Sequence, residues 1–177
     1  MEWNRVLREQ WEYLWNQQVR ARLHGLTDDE YFWSPAPNPW TVRPHRDGSF
    51  AMDFTYPPPE PAPFTTIAWR LNHVIFGVLA MRNTWHFGAP ATSWETWEFA
   101  GRAATALQQL DEQVDVWLAG VRSLGEDGLA APVGDKEPYP DSPMATLILH
   151  VQRELIHHLS EVSLLRDLYL HTNGARP

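Results

Sequence analysis

The sequence predicts an all-α protein, a four-helix bundle with a long proline-rich loop between its first and second helices. Four stretches repeat their apolar residues at helical spacing, and most are bounded by recognisable start or stop signals. Nine of the 15 prolines crowd into residues 34–64, so the first connection cannot be helical. A chain of 177 residues is the size of one ordinary domain, and a single bundle over residues 1–177 is expected.

The first helix is expected over about residues 2–24, where Trp3, Leu7, Trp11, Trp15, Val19 and Leu23 drift slowly around one face. Gly25 supplies a C-terminal stop, and Thr27-Asp28-Asp29 begins a turn or short helix. The loop at 34–64 is uncommonly long for a compact domain. Thr41-Val42-Arg43 and Phe50-Ala51-Met52-Asp53-Phe54, flanking Asp47-Gly48, suit a small hairpin. Trp40, Phe50, Phe54 and Tyr56 give the loop something to pack with, so an ordered flap over one end of the bundle is expected.

The second helix, about 65–85, is apolar on nearly every side, interrupted by charge only at Arg70 and Arg82; such a helix is buried all round. A third is expected over 93–124, with Leu107, Leu110, Val114, Trp117, Val121 and Leu124 forming a bundle seam. A polar, flexible loop follows over 125–140. The fourth helix opens with Asp141-Ser142-Pro143, an N-cap followed by proline in the first turn, and runs to about His171, stopped by Asn173-Gly174.

Bulk properties exclude several roles. The net charge is -8 without a run of Lys or Arg, which disfavours nucleic acid as a partner. The longest apolar run, 74–81, falls far short of the roughly 20 residues a membrane-spanning helix needs. The N-terminus mixes charge into its apolar residues and has no secretory h-region, so a cytoplasmic address is expected. With no cysteine, disulfides, thiolate ligands and a cysteine nucleophile are all excluded. Any metal must sit on imidazole and carboxylate, and any thiol must come from outside.

Four potential ligands share the fourth helix: His150, Glu154, His157 and His158. At about 100° per residue, Met144, Ile148, Val151, Leu155, Val162, Leu165 and Tyr169 define its apolar face. His158 falls roughly 30–40° from the centre of that face, and Glu154 lies at its edge one turn back. His150 and His157 point about 110–130° away, toward solvent or a helix flank, and stand about 10 Å apart along the axis, too far to share an ion. His150 with Glu154 is a competing pair on a less buried face. Glu154 and His158, at i and i+4, are the best-placed pair. His73, inside the most apolar segment of the chain, is the strongest third ligand, because an unpaired imidazole there would cost stability. A backbone carbonyl would satisfy it equally, and a buried Glu–His pair is often only structural. His24, His45, His86 and His171 read as ordinary surface or loop histidines.

An isolated histidine on the second helix, and a histidine pair on the fourth followed by Glu161, Leu165 and Arg166, resemble the DinB family of metal-binding four-helix bundles. Residues 65–77 and 154–167 carry most of the likeness, and 26–43, with Trp33 and Pro39-Trp40-Thr41-Val42-Arg43 before Pro44, is similar in style to the first loop of many members. The likeness extends over essentially the whole chain. It implies one divalent metal on His73, Glu154 and His158, zinc foremost, with nickel, iron or manganese also suited to these donors.

Many members of the family have histidine at all three places. Glu154 departs from that pattern and resembles the His-Glu-His variant of mycothiol-dependent maleylpyruvate isomerase and related thiol-dependent enzymes. The resemblance therefore implies a metal-dependent transferase or isomerase in which a low-molecular-weight thiol attacks a small-molecule electrophile. Arg43, Arg46, Arg70 and Arg82 are candidates to hold a substrate carboxylate. The competing class is a non-catalytic, metal-stabilised or ligand-binding stress-related bundle. An open coordination position facing a cleft would favour the enzyme, and closure by His150 or His157 the structural site. A homodimer is compatible with either.

Overall fold

The computed structural model describes residues 2–173. Helix α1 runs as Trp3–Leu14, a π-helical turn Trp15–Val19, and Arg20–Leu23. Trp11, Trp15, Val19 and Leu23 are all buried. Steps of four drift about 40° each around a straight α-helix, and the wider π turn rotates the chain back so that one stripe stays inward. Gly25 ends the helix at φ +72°. Helix α2, Asp28–Phe32, follows with a capping box in which Thr27 and Glu30 bond reciprocally.

The proline-rich loop carries the hairpin, with β1 (Val42–Pro44) antiparallel to β2 (Phe50–Met52) and Gly48 at φ +87° in the turn. Trp40 N donates to the Phe64 carbonyl, and Thr66 N to the Trp40 carbonyl, tying the two ends of the loop together. Trp69 Nε1 donates to the Asp53 carbonyl at 2.7 Å, and Trp40 tilts against both Trp69 and Phe54. Of the four aromatics expected to pack, Tyr56 does not; it stands 85% exposed.

Helix α3 comprises Ile67–Asn72, a π segment His73–Ala80, and Met81–Phe87, capped by the Thr66 hydroxyl and ended by Gly88 at φ +68°. Val74, Ile75, Phe76 and Leu79 are fully buried. The helix packs on both α4 (Ala103–Ser123) and α6 (Met144–Asn173). Four long helices, α1, α3, α4 and α6, thus make the bundle. No helix among the described residues is long and apolar enough to cross a membrane.

Three expectations need correction. The third helix starts at Ala103, ten residues later than predicted, because Trp94, Trp97 and Phe99 leave helical periodicity to pack around Phe76. Its first amide, Ala103 N, is capped from a distance by Asp28 Oδ1. The loop over 125–140 is organised rather than merely polar: it contains α5 (Glu126–Ala130) and buries Leu129, Val133 and Glu137. The fourth helix begins at Met144, with the Pro143 carbonyl accepting from Thr146 N; the helix reaches Asn173, and Gly174 lies outside the described residues.

A buried polar knot fixes α3 next to the site. Tyr31 Oη donates to the Ala100 carbonyl and accepts from Asn72 Nδ2, each at 2.7 Å. Asn72 Oδ1 accepts from Ala100 N at 2.8 Å. Burying these groups is tolerable because each finds a partner. Together they join α2, α3 and the approach to α4 one residue before His73.

Candidate metal centre

His73 sits at the first position of the π segment in α3, and Glu154 and His158 lie one turn apart on α6. One potential ligand atom from each of the three lies within 4.8 Å of the others. The His73 and His158 rings meet edge-on at 4.8 Å, and Trp69 stacks on the His73 ring at 5.0 Å with only 10° between planes. Through Trp69 the flap therefore reaches the site: the hairpin end holds the indole, and the indole holds the imidazole.

His158 is oriented by its own helix. Nδ1 lies 2.9 Å from Glu161 Oε2, while Nε2 faces Glu154 Oε2 at 3.7 Å. That contact makes Nδ1 the protonated nitrogen and leaves the Nε2 lone pair toward the cluster. Arg70, on α3, pairs with the same Glu161 carboxylate. Its charge offsets that of Glu161, so Glu161 can accept the hydrogen bond without drawing a second proton onto His158.

Both imidazoles are held neutral. Burial pushes His73 down to about 4, aided by His158, Arg82 and Arg70. His158 is also pushed down to about 4, by burial first and then by His157, against the pull of Glu154. Two neutral imidazoles and a carboxylate converging from two helices form a nitrogen–oxygen donor set suited to a divalent transition ion. Among the described residues no fourth His, Asp or Glu joins this cluster.

The remaining candidates separate cleanly. His157 is mostly exposed, with Nε2 3.6 Å from Glu161 Oε1. It forms a second, more open grouping with His158 and Glu161. Glu161 is already engaged by Arg70 and by His158 Nδ1, which fits a supporting role better than a ligand's. His150 lies on the flank, Nδ1 3.7 Å from Glu154 Oε1 and 2.6 Å from Arg153 Nη2. Three of the four arginines proposed as carboxylate anchors are spent: Arg43 on Asp53, Arg70 on Glu161, Arg82 on Glu137. Arg46 is exposed on the hairpin turn.

His86 reads as a surface histidine, but it is only partly exposed and its side chain is enclosed, Nε2 3.1 Å from Glu137 Oε1 in a cluster completed by Arg82. Glu137 comes from the loop at 125–140, and its pairing with α3 had no local signal in the sequence. Glu161 could have been found, since it follows His158 by three residues and so shares its side of the helix.

Comparison with known families matches residues 49–162 to the DinB superfamily. The matched span contains His73, Glu154 and His158, but begins inside the hairpin, leaving α1 and the first half of the proline-rich loop outside it. No curated protein and no solved structure matches the chain.

Proposed function

Because this chain belongs to the DinB superfamily, we propose that it binds one divalent transition metal, zinc foremost, through His73, Glu154 and His158 and serves as a thiol-dependent transferase or isomerase. The observation that carries this reading is the three-donor cluster, which no fourth His, Asp or Glu among the described residues joins. An ion held there would supply Lewis acidity, enough to favour the thiolate form of a bound thiol at neutral pH. The thiol must be exogenous, since the chain has no cysteine. The proposed setting is the cytoplasm, where low-molecular-weight thiols are kept reduced.

The chain's own residues do the positioning. His158 presents Nε2 because Glu161 holds Nδ1, and Arg70 fixes Glu161. Trp69 covers one face of His73 and keeps water from it. His157, exposed beside Glu161 Oε1, is placed to hand a released proton to solvent. The Glu154 ligand supports the likeness to the thiol-dependent branch typified by mycothiol-dependent maleylpyruvate isomerase.

The test is cobalt substitution followed by titration with several cellular thiols. Sulfur binding gives a thiolate-to-cobalt charge-transfer band. If metal is bound but no thiol perturbs its spectrum, the protein is a metal-stabilised or ligand-binding bundle without this chemistry.

A further inference from the structure

Beside the three-donor cluster, between the later part of α3 and the start of α6, lies a cavity of about 150 Å³. Its lining is mostly carbon, from Val133, Pro138, Tyr139 and Leu147. The charged groups that also line it, Arg82 and Glu137, neutralise each other. Arg82 Nη1 donates to the Gly77 and Val78 carbonyls, Nη2 donates to Glu137 Oε2, and Nε makes an ion-pair contact with Oε1 at 3.1 Å. His86 Nε2 completes the shell around Glu137. His150 lines the same cavity and stands 3.7 Å from the outer oxygen of Glu154.

This arrangement selects by charge. A carboxylate-bearing ligand would be repelled by Glu137 and would meet a guanidinium whose Nη1 and Nη2 already bond to the Gly77 and Val78 carbonyls and to Glu137, so the cost of desolvating it would be poorly offset. An uncharged ring with a short substituent, about six to eight non-hydrogen atoms, suits this half-open cavity, since a closed apolar cavity of the same volume holds benzene. We propose that the cavity is the subsite for the uncharged, apolar part of a small substrate, set beside the Glu154 edge of the donor cluster by the shared wall at His150. Its service to a substrate rests on the metal-dependent reading above; its preference for neutral ligands does not.

The experiment compares benzyl alcohol with benzoate, a neutral and an anionic ligand of nearly equal size, by NMR of the Thr146 and Leu147 methyl groups. Both residues line the cavity. Benzyl alcohol should shift these methyls in the native protein, and benzoate should bind at least about tenfold more weakly. Plugging the mouth with Thr146→Trp, or with Ser142→Trp, should abolish the benzyl alcohol response while circular dichroism and metal content stay unchanged. Equal binding of benzoate, no response to benzyl alcohol, or a response that survives both plugs would overturn the proposal. The same titration on His158→Ala separates the two readings. Shifts that persist there support the cavity independently of the metal, whereas shifts lost together with the metal would overturn a neutral-ligand cavity that stands apart from the donor cluster.

Discussion

His158 is held at both nitrogens, by Glu161 at Nδ1 and by the approach of Glu154 to Nε2. Metal content of purified variants therefore gives a graded expectation. His73→Ala and His158→Ala should each lose the ion, while His157→Ala, whose side chain is largely in solvent, should keep most of it. Full occupancy in both of the first two would remove the site. Glu161→Gln should fold and still bind, but with affinity lowered about 10–100-fold, the usual cost of losing a carboxylate behind a ligating imidazole. Competition with a chelator measures that loss, and an unchanged affinity would mean that Glu161 serves only to pair Arg70. The convergence of the three side chains, as distinct from what they hold, was partly legible at the level of single residues. Helical periodicity alone placed Glu154 and His158 inward, and the polarity of His73 within 74–81 and its flanks marked it out. The partners reaching across helices were not legible: nothing near Arg70 or His86 in sequence announces Glu161 or Glu137.

Elements were legible in their middles and less so at their ends. The apolar period marks α1, α4 and α6, and uniform apolarity marks α3, whereas the start of α4 differs from the expectation because the aromatic residues at 94, 97 and 99 fit a helical period and a cluster around Phe76 equally well. The choice between them is made by tertiary packing on Phe76, and the segment that follows is closed against the ring of Phe50 from β2. A Cβ on Gly101 would lie 2.2 Å from that ring, so hairpin and loop close on each other only over a glycine. Gly101→Ala should destabilise the protein by about 1–3 kcal/mol, as overpacking does, and should free the hairpin to proteolysis. Urea unfolding and limited trypsin digestion read the two effects. A variant as stable as the parent, with the hairpin still protected, would show that Phe50 is not what orders the flap.

At the scale of the whole molecule, the bundle is closed by charge as well as by its apolar core. Arg166 on α6 donates through Nη1 to the Arg22 and His24 carbonyls at the C-terminal end of α1, and through Nε to Glu30 Oε1 on α2. Burial by itself would raise the Glu30 carboxyl, but the Arg166 hydrogen bond and the Thr27 amide outweigh it and hold the group below its ordinary 4.5. The unfolded chain then binds more protons than the folded one as the pH drops past 4.5. The stabilisation is fully present above that value and is lost as the pH falls through the lower, folded pKa. Glu30→Gln keeps the shape but not the charge, and should cost about 1–3 kcal/mol at pH 7. The gap between the parent and Glu30→Gln should narrow below pH 4.5, because the parent's carboxyl takes up a proton first in the unfolded chain and then, at lower pH, in the folded one. Paired urea titrations from pH 7 to pH 3 measure that gap directly. A gap that stays constant over the range would mean that Arg166 holds α1 through the two carbonyls alone, and that the bundle's closure owes nothing to the charge on Glu30.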